Sequence, residues 1–143
     1  MGYFRDTAHF YETVGELMDR TKTHPDIGPK IGKSGMVVQF IYHEPEAMTT
    51  IDARGRPTQP GAFFDVIHGP CKLPPDVTFS MKADLANLFW NKKVNLMAAI
   101  TKGQIKVQGS LPKALKLLPA IEPAYPLYQA LLKEKGYENM IVK

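Results

Sequence analysis

The chain predicts an α+β fold, a two-layer α/β arrangement built on a mostly antiparallel sheet of about five strands. Three observations carry this. In Val77-Thr78-Phe79-Ser80-Met81-Lys82, apolar and polar residues alternate without a fault, the period-two mark of a strand with one buried and one wet face. Gln104-Ile105-Lys106-Val107-Gln108-Gly109 repeats the pattern. Between them Leu85, Leu88 and Phe89, and then Met97 and Ile100, recur at helical spacing. Sheet and helices therefore share one apolar interior, which points to binding rather than catalysis.

The elements follow in order. Asp6 is placed to cap a helix over 6–21, with Phe10, Val14, Leu17 and Met18 on one face. His24-Pro25 ends it, because a residue before proline is pushed out of the helical region. Residues 25–35 read as a Gly/Pro-rich connector. A strand over 36–43 has apolar residues on both faces, so it is central. Glu44-Pro45-Glu46 turns the chain into a second strand over 47–53, and a third follows over 62–68. The connections are short enough for hairpins throughout, which makes the sheet mostly antiparallel. Ser110 is placed to cap a helix carrying Pro112 in its first turn. Residues 119–143 form an extra helical segment, in which a last helix over 124–135 stops at Gly136.

Bulk properties set limits. A chain of 143 residues fits a single domain over 1–143. Its 44% hydrophobic and 22% charged residues are ordinary for a globular protein, and no apolar run approaches the roughly 20 residues of a membrane span. The start lacks the charged-then-apolar order of a secretory signal, so the expected compartment is the cytoplasm. Cys71 is the only cysteine, which rules out an internal disulfide. From Thr101 onward seven lysines face three glutamates without forming a run. That describes a solvated surface with weak attraction for anionic membranes, and it lacks the dense basic stripe of a nucleic-acid reader.

Catalytic and metal motifs are not formed. Gly32-Lys33-Ser34 is followed by a strand pattern, whereas a phosphate-binding loop needs a helix there. His9, His24, His43 and His68 are scattered without metal-ligand spacing, so no metal or cofactor is implied. Asp65 and His68, three apart on a strand, fall on opposite faces. They are the first candidates should an enzyme reading be entertained. Phe79, Met81, Phe89, Trp90, Met97, Tyr125 and Tyr128 remain, and composition alone leaves a solid core and a ligand cavity both open.

At this point a resemblance enters. Lys93-Val94-Asn95, then Lys102-Gly103-Gln104-Ile105-Lys106-Val107-Gln108-Gly109, resembles the sterol carrier protein-2 lipid-binding domain family. Asn95 matches its helix-capping asparagine, and Gly103 and Gly109 match the glycines bracketing its last strand. Asp76-Val77-Thr78-Phe79-Ser80-Met81 matches an upstream strand. Leu96 stands where the family usually has proline, Asn91-Lys92 stands where it has Ala-Gly, and 119–143 is additional.

The resemblance implies helices covering one face of the sheet, a hydrophobic tunnel, and non-enzymatic binding of a fatty acid, fatty acyl-CoA or sterol-like lipid. Facing geometry then nominates the lining: Phe79, Met81, Leu85, Leu88, Phe89, Met97, Ile100, Ile105, Val107, Leu111, Ala114, Leu115 and Leu118. The terminal helix is expected to close one end through Tyr125, Tyr128 and Leu131. A protein-interaction module with a solid core is the alternative. The chain is compatible with a monomer, or with a homodimer pairing through an edge strand or the terminal helix.

Overall fold

The computed structural model describes residues 2–143 and shows a five-stranded sheet in the order β3-β2-β1-β4-β5. Its strands are β1 (Val37–His43), β2 (Ala47–Asp52), β3 (Asp65–His68), β4 (Val77–Lys82) and β5 (Ile105–Gly109). Three of the four pairings are antiparallel, and β1 is central as its two-sided apolar pattern requires. The all-hairpin expectation needs one correction: β4 runs parallel to β1, Phe40 opposite Phe79. Asp76 is the physical reason. Its carboxylate accepts the Val37 N–H at 2.7 Å and its own N–H donates to the Val37 carbonyl at 2.8 Å. The start of β4 is thereby held beside the start of β1. Gly109 closes the other side at φ +97°, where an added Cβ would run into the Asp76 carbonyl.

The first helix spans its predicted length with a change of pitch inside it. It runs as α1 (Thr7–Phe10), a π turn (Tyr11–Gly15) and α2 (Glu16–Thr21), and Asp6 caps it by accepting the His9 N–H at 2.8 Å. Phe10, Val14, Leu17 and Met18 are all buried. The 25–35 connector contains a short helix, α3 (Gly28–Gly32), which periodicity does not announce because two of its residues are glycines and one is proline. Those glycines have a packing reason: a Cβ on Gly28 would strike the Phe63 ring, and one on Gly32 would lie 2.6 Å from the Phe63 carbonyl. The Phe63 N–H in turn donates to the Lys22 carbonyl at 2.8 Å and Phe64 is fully buried. Residues 62–64 therefore leave the predicted strand to pack against the helices, and β3 begins only at Asp65.

Helices α4 (Ala83–Trp90), α5 (Leu96–Thr101), α6 (Leu111–Leu115), a 3₁₀ turn (Leu118–Ile121) and α7 (Ala124–Glu134) complete the second layer. Asn95 caps α5, its side chain accepting the Ala98 N–H at 3.0 Å. Ser110 makes no side-chain cap, contrary to expectation, because its backbone is drawn to β4: its N–H donates to the Asp76 carbonyl.

A buried polar knot fastens the C-terminal segment. The Tyr128 hydroxyl donates to Asn87 Oδ1 at 2.7 Å, and the Asn87 amide donates to the Met140 carbonyl at 3.0 Å. The Asn91 amide also reaches the Met140 carbonyl, and its Oδ1 accepts the Val142 N–H at 3.0 Å. Burial and the nearby Tyr42 push the Tyr128 hydroxyl far above its ordinary range, so it stays a neutral donor. Leu131, Leu132 and Met140 lie fully buried beside this knot. Removing one partner from a buried network strands the others without water. Asn87→Ala should therefore lower the unfolding free energy by about 3 kcal/mol, and Tyr128→Phe by about 1 kcal/mol, in urea denaturation. Equal stabilities in all three proteins would refute this role.

His9 gives the fold a pH dependence. It is buried on α1, and its Nδ1 accepts the Arg5 N–H at 3.1 Å, so the proton sits on Nε2, which has no partner. Burial, and secondarily the charge of Arg5, hold its pKa below the ordinary 6.5. The unfolded chain thus takes up this proton at a higher pH than the folded one. The stability tied to neutral His9 is complete above 6.5 and falls as pH drops through the depressed value. The urea midpoint should fall further between neutral and mildly acidic pH in the parent protein than in His9→Gln. Identical pH profiles would contradict this.

Candidate functional site

The site is an apolar cavity between the sheet and the helices, with about 110 Å³ of free space. Strand alternation makes its floor: Val38, Phe40 and Tyr42 of β1, Ile51 of β2, Phe79 and Met81 of β4, and Ile105 of β5 all point to this side. Parallel register places the Phe40 and Phe79 rings in a stack, 5.7 Å between centroids. The roof is Ala86, Phe89 and Trp90 of α4, Leu96 of α5, Ala114 of α6, and Leu117, Leu118 and Ile121 from the 3₁₀ turn region. Met18, Thr21 and Ile31 close the end under α2 and α3.

Polar groups are few in this wall. The Thr21 hydroxyl is already used, donating to the Met18 carbonyl at 2.7 Å. Burial pushes the Tyr42 hydroxyl well above its ordinary pKa of 10, so it stays neutral. Among the described residues the wall holds no carboxylate, imidazole, amine or thiol. Such a lining suits hydrocarbon better than a charged or strongly polar guest.

The nominated residues divide. Phe79, Met81, Phe89, Ile105, Ala114 and Leu118 meet around the cavity. Ile100, Val107, Leu111 and Tyr125 are half-buried and pack against the core without reaching it. Leu115 is half-buried outside the wall, and Met97 is 47% exposed, one position round the helix from Leu96. Leu85 and Leu88 stand in a separate depression with His43, Ser80, Lys82, Asp84, Gln104 and Lys106. The inward face of α4 is carried instead by Ala83, Ala86 and Asn87, small or polar residues that a search for large apolar side chains passes over, together with Trp90.

Tyr128 and Leu131 are fully buried in the core behind the cavity, so they support its wall without forming it. Tyr125 stands against Phe89 and Trp90, ring centroids 5.9 and 6.0 Å away. Sequence reasoning missed the β1 side altogether. The alternation of Val38, Phe40 and Tyr42 was legible, and only the parallel pairing was needed to bring it beside Phe79 and Met81.

The histidines are engaged elsewhere. His68 Nδ1 lies 3.1 Å from the Thr49 hydroxyl and its Nε2 3.0 Å from Asp19, tying sheet to helix, while Asp65 accepts from the Thr58 N–H and hydroxyl. His43 Nε2 is 3.1 Å from the Ser80 hydroxyl and its Nδ1 3.1 Å from Glu46. This resembles a nucleophile–base–acid line, but Ser80 lies mid-strand between β1 and β5, and its own N–H belongs to the sheet rather than to an oxyanion. Among the described residues no group of three or more His, Cys, Asp or Glu is placed to hold a metal ion. No helix among them is long and apolar enough to cross a membrane.

Comparison with known proteins agrees with this architecture. The model of the SCP-2 sterol transfer family matches residues 34–122. The chain belongs to the SCP-2 sterol transfer family. No curated protein matches it. Among solved structures it is similar to sterol carrier protein domain 2 of Helicoverpa armigera, with 23% identity over 79% of this chain and 88% of that one, at a TM-score of 0.60. It is similar too to apo sterol carrier protein 2 of Yarrowia lipolytica, with 19% identity over 81% and 89%, at 0.57. Palmitated SCP2L2 of Aedes aegypti is 20% identical over 77% and 95%, at 0.51. A double mutant of the sec-alkyl sulfatase PisA1 also matches, and the chain spans only 12% of its length. For the SCP-2 proteins the shared property is the fold: the family match covers β1 through the 3₁₀ turn, and so takes in nearly all of the cavity wall.

Phe79 has neighbours on all sides of the floor and is only 7% exposed. Truncating it beside an existing void leaves space that the stacked Phe40 does not fill. Phe79→Ala should cost about 3–5 kcal/mol in urea denaturation. A loss under about 1 kcal/mol would show that the floor collapses and that the ring does not hold the cavity open.

Proposed function

We propose that residues 1–143 act as one lipid-binding unit. It would carry a fatty acid, a fatty acyl-CoA or a sterol-like lipid, without covalent chemistry, in the cavity between sheet and helices. The observation that carries this is the wall itself: a void lined by hydrocarbon and aromatic side chains within a sterol-transfer fold. Each methylene removed from water contributes about 0.8 kcal/mol. A chain of about 16 carbons therefore gains on the order of 10 kcal/mol before ordering and association costs. No specific polar contact is needed for that gain, so the binding tolerates varied hydrocarbon.

The cavity's size adds a requirement. A void of about 150 Å³ takes one benzene ring, so 110 Å³ holds only a short piece of a chain. A full ligand must widen it. The floor is a hydrogen-bonded sheet and α7 is fastened by Asn87, so the yielding part is α6 with the 3₁₀ turn, which contain Pro112 and Pro119 and are followed by Pro123. In this reading the closing role expected of the terminal helix passes to Leu117, Leu118 and Ile121.

Displacement of a fluorescent fatty acid tests the proposal. The parent protein should bind the probe and release it to unlabelled long-chain fatty acid. Ala114→Phe, which puts a ring into the space, should weaken the affinity at least tenfold while circular dichroism stays unchanged. Probe binding that is absent in the parent, or equal in a folded Ala114→Phe variant, would remove the cavity as the site.

A further inference from the structure

The lysines of this chain are not spread evenly. Between Asp84 and Glu122 lie six lysines and no carboxylate: Lys92, Lys93, Lys102, Lys106, Lys113 and Lys116. The same stretch supplies most of the cavity's roof. Topology gathers part of it at one place. Helix α5 packs along β5 and joins it by a tight turn at Lys102–Gln104, so the two run in opposite directions. The start of α5 therefore lies at the end of β5, where α6 begins. Leu96 from α5, Ala114 from α6 and Leu117 just after it meet in the same cavity, which fixes their closeness.

Around that junction the surface is cationic and partly apolar. Lys93, Lys113 and Lys116 are exposed and have no carboxylate within salt-bridge distance among the described residues; Lys92 pairs with Glu122 at 3.4 Å. Lys113 on α6 and Lys116 at its C-terminal cap are three apart and share a face, turned from the buried Ala114. Met97, 47% exposed, is one of only two large hydrophobic side chains that stand in water among the described residues. Leu96, Leu117 and Leu118 line the cavity yet are only half-buried, so each also shows apolar surface to solvent. Lys106 is excluded, since strand alternation puts it on the opposite face of the sheet, and Lys102 lies at the far end of α5.

We infer that this surface, the start of α5 with α6 and the residues that follow it, docks on an anionic lipid bilayer and presents the cavity's opening to the membrane. The inference rests on the lipid-binding reading above. Charge selects the partner: each lysine near an anionic leaflet adds to the attraction, and Met97 with the half-exposed leucines can enter the interface once the lysines have brought it there. An acidic protein would satisfy the lysines, but it gives no reason for the apolar opening among them.

Vesicle co-sedimentation with the full chain tests this, using phosphatidylcholine vesicles and vesicles that also contain phosphatidylserine. The parent should sediment with the anionic vesicles only, and raised salt should release it. Lys93→Glu/Lys113→Glu/Lys116→Glu should lower its partition coefficient at least about a hundredfold. Lys72→Glu/Lys106→Glu/Lys133→Glu makes the same change in net charge elsewhere and should have a far smaller effect. Met97→Trp should report insertion by a blue-shifted emission on anionic vesicles.

Equal sedimentation with both vesicle types, no sedimentation with either, or equal losses in the two triple variants would overturn the inference. Fatty-acid displacement without vesicles should be unchanged in the first triple variant. That measurement separates failure of the docking surface from failure of the cavity.

Discussion

The register of β4 against β1 is the constraint on which the cavity depends. In it, Val38, Phe40 and Tyr42 lie opposite Val77, Phe79 and Met81, and two apolar rows become one floor. A shift by one residue would turn one of these rows to the outer face. Asp76 guards against that shift from three sides: its carboxylate and N–H clasp Val37, and its carbonyl accepts from Ser110 and leaves no room for a side chain on Gly109. One residue thereby sets the parallel pairing, the end of β5 and the point where α6 departs.

Above this floor the roof is firm at its ends and weak in its middle. Helix α4 is packed by its alanines and by Trp90, and α7 is locked to it through Tyr128 and Asn87. Between them α6 and the 3₁₀ turn are short, contain Pro112 and Pro119, and place half-buried leucines over the void. A wall built this way opens at small cost in one place while the rest keeps its shape. Leu96 adjoins the exposed Met97, and Leu117 adjoins Lys116, so the yielding part of the roof and the proposed docking surface coincide.

Much of the fold was legible in residue patterns. The five strands, the Asp6 cap, the apolar face of the first helix and the stop at Gly136 all follow from local chemistry, and local chemistry is written in adjacent residues; the Asn95 cap came from the family resemblance. What escaped was decided at long range. The parallel pairing rests on Asp76 meeting Val37, 39 residues away. Helix α3 and the late start of β3 rest on Phe63 packing against two glycines.

The site shows the same division. Phe79, Met81, Phe89 and Ile105 could be named from alternation and spacing, and they reach the cavity. Leu85 and Leu88 were named by the same spacing, but the helix turns its alanines and Asn87 inward to make room for neighbouring helices, and the leucines face a different depression. Tyr128 and Leu131 were rightly placed on an apolar face, which is core rather than cavity.

The central claim is that hydrocarbon enters between sheet and helices by displacing α6 and the 3₁₀ turn. A crystal structure with a long-chain fatty acid tests it most directly. The account predicts electron density for the chain against Phe40, Phe79 and Phe89, with Leu117, Leu118 and Ile121 moved outward and α7 unmoved. A chain bound elsewhere, with this cavity unchanged, would contradict it.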